Sequence, residues 1–335
     1  MNTRKLPDLA DFRSLLVVKP SSLGDIVHTL PAVHAIKSAH PHLHVRWLAN
    51  TEWNPLLEGS PVVDEVVPFP RKSFRGLLGG MRFLNWISAQ WRRRPHPEPE
   101  IVLDFQGLLR SGLVARLSGS RPVVGLSDSR EGARFFHDHV IAVNAGAHAL
   151  ERYLEVPSAF GIPLEKPRTP LPEGTMPAGW PEREDAVVVH PWSRGKGKSL
   201  EPAVLEALCA ALAPSPVVLV GVRNGVSVPR GEHITDLSAR TTLPELVWLL
   251  RRARGVVSVD SGPMHIAAAV NDRTLGIHTW SDPRQVGPHN PRAWVWKDGR
   301  IAHRCDFASA ECASTRSPNT EDARALAEFV KKLAS

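Results

Sequence analysis

Short apolar runs alternate with segments of three-and-four apolar spacing along most of the chain. Runs suited to buried strands fall at 14–19, 43–48, 63–67, 101–104, 122–126 and 139–143, and again at 185–190, 216–221, 256–259 and 274–277. Helical periodicity appears near 25–39, 74–94, 107–118, 148–160, 200–213 and 242–253. Such alternation predicts an α/β protein with parallel sheets covered by helices on both faces. Right-handed crossovers then gather the loops that follow the strands on one edge of each sheet. Residues 161–184 carry six prolines in 24 positions, which breaks regular structure and favours a semi-rigid linker. This predicts a first domain over 1–160 and a second over 185–319. From Thr320, the spacing of Ala323, Leu326, Val330 and Leu333 predicts a terminal helix over 320–335. No internal repeat is visible.

The 335 residues suffice for two domains of ordinary size. No run of eighteen apolar residues occurs, so no membrane span is expected. The start, MNTRKLPDLADFRS, has no apolar stretch behind its basic residues and does not read as a secretory signal. Cys209, Cys305 and Cys312 match no disulfide framework or zinc spacing, and a reducing, cytoplasmic setting is expected. A net charge of +7 favours anionic partners such as nucleic acid, an anionic membrane surface or phosphorylated small molecules.

Candidate chemistry sits where strands give way to helices. In VVKPSSLGDIVHTLP, an apolar run meets a small polar turn, and a helical pattern starts at Asp25. Ligands of open α/β sheets bind at that edge. Asp25 reads either as a helix cap or as an acid placed to act on a hydroxyl. A second such junction, VVSVDSGPMHIAAAV at 256–270, has a proline near the helix start and amides suited to a diphosphate. There His265 reads either as a capping or core histidine or as a ligand-site residue. The loop at 191–199 ends in Gly-Lys-Ser, yet Trp192 stands where a Walker A loop needs glycine, so a P-loop is rejected. Neither a GxGxxG fingerprint nor an Asp-x-Asp pair marks a strand end. That argues against a dinucleotide oxidoreductase and a metal-chelating sugar transferase. The histidine clusters at 40–44 and 137–139 offer no closed ligand set for a metal. Residues 71–94 hold seven basic residues and no acid, with Phe74, Leu77, Met81, Leu84, Ile87 and Trp91 at helical spacing. They read either as a solvated basic face over a core stripe or as a helix lying near an anionic membrane.

The motif KPSSLGDIVHTLPAV resembles the N-terminal motif of glycosyltransferase family 9, the lipopolysaccharide heptosyltransferases, and VVSVDSGPMHIAAAV resembles that family's donor-site signature. The style is closest to the members that add the first inner-core heptose. The resemblance covers nearly the whole chain. It implies two Rossmann-like domains facing a central cleft, the GT-B arrangement, with the terminal helix crossing back to the first domain. It also implies inverting, metal-independent transfer of heptose from ADP-heptose to the Kdo region of a lipid A acceptor, at the inner face of the cytoplasmic membrane. No cofactor and no nucleic-acid partner are expected. Asp25 would be the general base. Ser193, Lys198, Asp260, Ser261, Gly262, Pro263, Met264 and His265 would bind the donor. Lys19, Ser21, Ser22, Gly24, Arg71, Lys72, Arg75, Gln106, Arg110 and Arg130 would bind the acceptor. The 191–199 loop departs from the first-heptose enzymes, where it is more polar and acidic, which leaves the donor's identity less defined than its diphosphate. Two other readings stay open: a related transferase using another nucleotide sugar or glycan, and a non-catalytic basic module for nucleic acid or membrane.

Overall fold

The computed structural model describes residues 5–92, 98–178, 180, 185–223 and 227–333. Parts of the expected linker (179 and 181–184) and the basic residues Arg93 and Arg94 lie outside the described residues. The chain divides into two compact units between Pro172 and Glu173, inside the proline-rich segment.

The first unit contains β1 (Ser14–Val18), α1 (Leu23–Ala39), β2 (His44–Asn50), α2 (Asn54–Leu57), β3 (Glu65–Phe69), α3 (Gly79–Arg92), β4 (Glu100–Asp104), α4 (Leu109–Leu117), β5 (Val123–Leu126), β6 (His139–Ile141) and α5 (Ala149–Ala159). Its sheet runs β3-β2-β1-β4-β5-β6 with every pair parallel. Every residue of β1 is buried, with Val17 in register with Trp47 on one side and Leu103 on the other. A strand covered on both faces has no polar alternation to show, which is why it reads as a plain apolar run. Each fully buried Val or Leu contributes about 1.5–3 kcal/mol, so such runs are the strongest fold-determining signal in the chain.

The second unit contains β7 (Val187–His190), α6 (Pro202–Leu212), β8 (Val217–Leu219), β9 (Ile234–Asp236), α7 (Leu243–Arg252), β10 (Gly255–Val259), α8 (Gly262–Val270), β11 (Thr274–His278), α9 (Pro283–Val286), β12 (Trp294–Lys297), β13 (Arg300–Ala302), α10 (Ser309–Ala313) and α11 (Thr320–Leu333). Its order is β13-β12-β11-β10-β7-β8-β9. Counted from its own first strand, the parallel part repeats the 3-2-1-4-5-6 order of the first unit. The shared topology was invisible as a sequence repeat because only the burial pattern, not residue identity, is reused.

Three strands escaped the sequence reading. β9 is a three-residue, half-buried edge. β12 and β13 form an antiparallel hairpin through Asp298 and Gly299, both at positive φ. Its Asp-Gly pair is a hairpin signal that could have been recognised.

One expectation is corrected. The basic segment is not one helix from 74. Arg71–Phe74 forms a 3₁₀ turn, and α3 begins at the Gly79-Gly80 pair. Its apolar residues also split between two faces. Phe83, Trp86 and Ile87 pack with Phe74 on Phe69 and Val67, whereas Leu77, Leu78, Met81 and Leu84 point outward. The terminal helix α11 buries its stripe within its own unit. Ala323, Leu326, Ala327 and Val330 join the second unit's core beside Leu205 and Leu208 of α6.

Candidate functional site

Open sheets of this order bind ligands where the strand order reverses, between the loops after the first and fourth strands. In the first unit those loops follow β1 and β4. They are tied together: Ser21 N donates to Gln106 Oε1 at 3.2 Å, Gln106 N to Val18 O at 3.2 Å, and Lys19 Nζ to Phe105 O at 2.9 Å. Asp104 shapes the second loop. It is buried, and it accepts from the Gln106 and Gly107 amides, Ser111 Oγ and His137 Nε2 at 3.0–3.1 Å. Gly107 has φ +62, and a Cβ there would lie 2.8 Å from Ser129 Oγ, so this turn requires glycine.

Asp25 occupies the third position of α1, behind the cap residue Ser22. Its Oδ2 accepts from Ser22 N at 3.0 Å and Ser22 Oγ at 2.8 Å, and its Oδ1 lies 3.5 Å from Tyr153 Oη. The side chain is half-buried at the sheet edge. Lys19 faces into the fold. It is only 3% exposed and donates inward, to Phe105 O and, at 2.7 Å, to Tyr153 Oη. Burial works against its charge, but Tyr153, Asp25 and Asp104 outweigh that, and its pKa is raised. The Lys19 ammonium is thus held inside the fold, beside Tyr153 and within electrostatic reach of Asp25. Tyr153, the chain's single tyrosine, was missed: it is 134 residues from Lys19, and nothing local marks it. Burial raises its own pKa, so the phenol stays protonated at neutral pH.

Beside these loops a pocket of about 550 Å³ brings together Ser21, Arg71, Gln106 and Arg110, with Phe74 and Glu131 also in its wall. Gly24 is buried in the first turn of α1, and Ser22 is exposed as its cap. Lys72, Arg75 and Arg130 are exposed but do not line this pocket. Lys72 pairs with Glu52 at 2.9 Å, a surface contact worth no more than about 1 kcal/mol.

In the second unit the matching loops follow β7 and β10. Lys198 Nζ pairs with Asp260 Oδ2 at 2.5 Å, and Ser281 Oγ donates to the same oxygen at 2.6 Å. Burial alone would push Asp260 up, but His278, Lys198 and Ser281 together hold it at about 2. Burial pushes His278 and His190 down to about 4, so both are neutral at pH 7 and Lys198 is the cation that remains beside Asp260. His190 Nδ1 lies 3.3 Å from both Ser258 Oγ and Ser261 Oγ, which fixes the start of α8. Ser193 braces the Lys198 loop through Gly195 N and Ser199 Oγ. Gly197, at φ +74, makes the tight turn before Lys198.

At α8 the expected run of amides is shorter than the sequence suggested. Pro263 has no N–H, and Met264 N donates to Ser261 O. The Met264 side chain is fully buried against Gly276 and is a packing group. Ser261 and Gly262 open the helix, with His265 one turn in and largely buried. His278, Ser281, His190 and Trp280 are site residues the sequence reading missed. The loop after β11 reads as an ordinary strand exit, and only the fold folds it back onto Lys198.

The fold defines the class. The chain matches the structure of E. coli heptosyltransferase WaaC with ADP at a TM-score of 0.73, with 21% identity over 96% of this chain and 99% of the other. The structure of E. coli ADP-heptose lps heptosyltransferase II gives 0.71, with 19% identity over 96% and 98%. The architecture is thus of the GT-B glycosyltransferase type, built from two Rossmann-like domains.

The family follows from sequence. The model of glycosyltransferase family 9 (heptosyltransferase) matches residues 96–195 and 225–311, and the chain belongs to that family. It is similar to lipopolysaccharide heptosyltransferase 1 of Pseudomonas aeruginosa, with 28% identity over 92% of this chain and 89% of that one. The Escherichia coli K12 protein of the same name is 26% identical over 85% and 94%.

Proposed function

We propose that this glycosyltransferase moves heptose from ADP-heptose to the Kdo region of a lipid A acceptor during lipopolysaccharide assembly, by direct displacement. One observation carries the chemistry: in each unit the polar groups converge on the same two loops, with a half-buried carboxylate in the first and a lysine paired with a buried aspartate in the second. The names of the relatives support the sugar and the acceptor class.

In this reading Asp25 takes the proton from the acceptor hydroxyl. The freed oxygen attacks the anomeric carbon from the face opposite ADP, the bond to the β-phosphate oxygen breaks with its electron pair, and the centre inverts. Lys198 and the Ser261–Gly262 helix start meet the charge developing on the diphosphate, where a positive group contributes most to the rate. They take the place of a metal ion in this scheme. Asp260 and Ser281 hold Lys198, while Ser193 and His265 shape the donor pocket. Arg71, Arg110, Gln106 and Ser21 hold the anionic acceptor, with Lys72, Arg75 and Arg130 widening the basic field around it.

The acceptor is a glycolipid, and the outward face of residues 71–84 fits its setting. Leu77, Leu78, Met81 and Leu84 are each more than half exposed. Arg71, Lys72, Arg75 and Arg82 surround them, without an acid between 71 and 92. Exposed leucines ringed by cations suit the interface of an anionic bilayer. Among the described residues no helix is long and apolar enough to cross a membrane. In this reading the contact is peripheral, at the cytoplasmic face.

Calorimetric titration with ADP, UDP and GDP, followed by NMR of the product anomer, tests the reading. Preference for ADP and an inverted linkage support it. Preference for another nucleotide would move the chain to a different sugar, and RNA binding with steep salt dependence but no nucleotide binding would remove the transferase scheme altogether.

A further inference from the structure

The loop after β11 grips the Lys198 loop at consecutive positions. Thr279 Oγ1 donates to Gly197 O at 2.9 Å, and Trp280 Nε1 donates to Lys196 O at 3.1 Å. The Lys198 ammonium lies 4.5 Å from the centre of the Trp280 ring. Ser281 then binds Asp260, the counter-ion of Lys198. The gripping loop is itself fixed from beneath: the buried Lys297 ammonium donates to Thr279 O and, at 2.6 Å, to Ser314 O.

Trp280 is 51% exposed. A large aromatic left half in solvent gains little from burial, and its two specific contacts both converge on the Lys198 loop. A lysine has several rotatable bonds and loses conformational entropy when its side chain is fixed. A cation held over an indole face before the anion arrives has already lost most of that freedom.

We propose that Trp280 is a positioning residue for donor binding. It holds Lys198 in the pose that meets the diphosphate, with the ring steering the ammonium and the indole N–H fixing the backbone that carries it. This inference rests on the reading of Lys198 as the diphosphate ligand.

The test is calorimetric titration of ADP into wild type, Trp280→Ala, Trp280→Phe, Lys198→Ala and the Lys198→Ala/Trp280→Ala double variant, each checked for folding by thermal melting. Trp280→Ala should weaken ADP about tenfold, which corresponds to about 1.4 kcal/mol. Trp280→Phe keeps an aromatic face and should lose only about two- to threefold. In the Lys198→Ala background, removing the indole should change the affinity less than twofold, because nothing remains for it to position. Unchanged affinity in Trp280→Ala overturns the inference. So does an equal loss in both backgrounds, since the indole would then act on the donor independently of Lys198. Should Trp280→Ala fail to fold, wild-type affinity in Trp280→Phe and in Trp280→Leu together would overturn it. Normal ADP binding by Lys198→Ala would instead remove the reading of Lys198 itself.

Discussion

Asp25 and Ser22 are joined twice through one oxygen: Oδ2 accepts both the backbone N–H and the hydroxyl of Ser22, while Oδ1 is turned towards Tyr153. Helix capping and base catalysis are therefore compatible in one side chain, because the two oxygens have different neighbours. The amide of Asp25→Asn still offers Ser22 an acceptor oxygen but gives up the negative charge. Transfer should fall by roughly 10²–10⁴ with ADP affinity unchanged. Near-normal turnover in a single-turnover assay would remove Asp25 as the base.

Lys198→Ala should weaken ADP by about 10- to 100-fold, on the scale of a charge-assisted hydrogen bond, and slow the chemical step as well. It also leaves Asp260 buried without its cation, so thermal melting should show a loss of about 1–3 kcal/mol. Equal affinity by calorimetry would locate the diphosphate elsewhere.

On the acceptor side, Arg110→Ala and Arg71→Ala should each raise the acceptor KM about 10-fold with little effect on ADP. Arg75→Ala, outside the pocket, should change it much less. A uniform effect of all three would mean that only overall charge matters.

Stability should depend on mild acid. His190 and His278 are held at about 4 in the folded chain against about 6.5 when unfolded. Above pH 6.5 both states are neutral and neither residue contributes. Between pH 6.5 and 4 only the unfolded state gains the protons, so stability is lost as pH falls, by up to ~3 kcal/mol per histidine. Asp260, held at about 2, adds a further loss as pH drops below about 4. Urea unfolding at pH 7.5 and 5 should reveal the slope, and His190→Gln should flatten it. A flat wild-type profile over that interval would contradict the buried neutral state.

Leu77→Gln/Leu84→Gln should bind phosphatidylglycerol-rich vesicles at least tenfold more weakly than wild type, given the area the two side chains withdraw from water. Binding should also weaken between 0.1 and 1 M salt. Activity on a delipidated acceptor should be unaffected. Retained vesicle binding, or a concentration-dependent dimer in sedimentation that the substitutions abolish, would mean that another surface or a second copy covers this face.

Legibility in the sequence followed physical locality. The buried strands were visible because burial on both faces leaves an unbroken apolar run, as at Leu15–Leu16–Val17–Val18. Asp25 and the α8 junction were visible because strand, turn and helix follow one another within a dozen residues. What was hidden depends on distance along the chain. Tyr153 reaches Lys19 across 134 positions and Trp280 reaches Lys196 across 84, and no local pattern encodes either. The inward direction of Lys19 was hidden for a related reason, because sequence reports a charge but not which way it faces. The stripe in α3 was visible as apolar spacing, but the turn at residues 71–74 changed which members face inward.

The division between Pro172 and Glu173 assigns each chemical task in this reading to its own folding unit. Preference for the activated sugar and preference for the receiving glycan then become separable traits. Chimeras joined at that point should inherit each from a different parent, and drift in one half can be tolerated while the other keeps its partner.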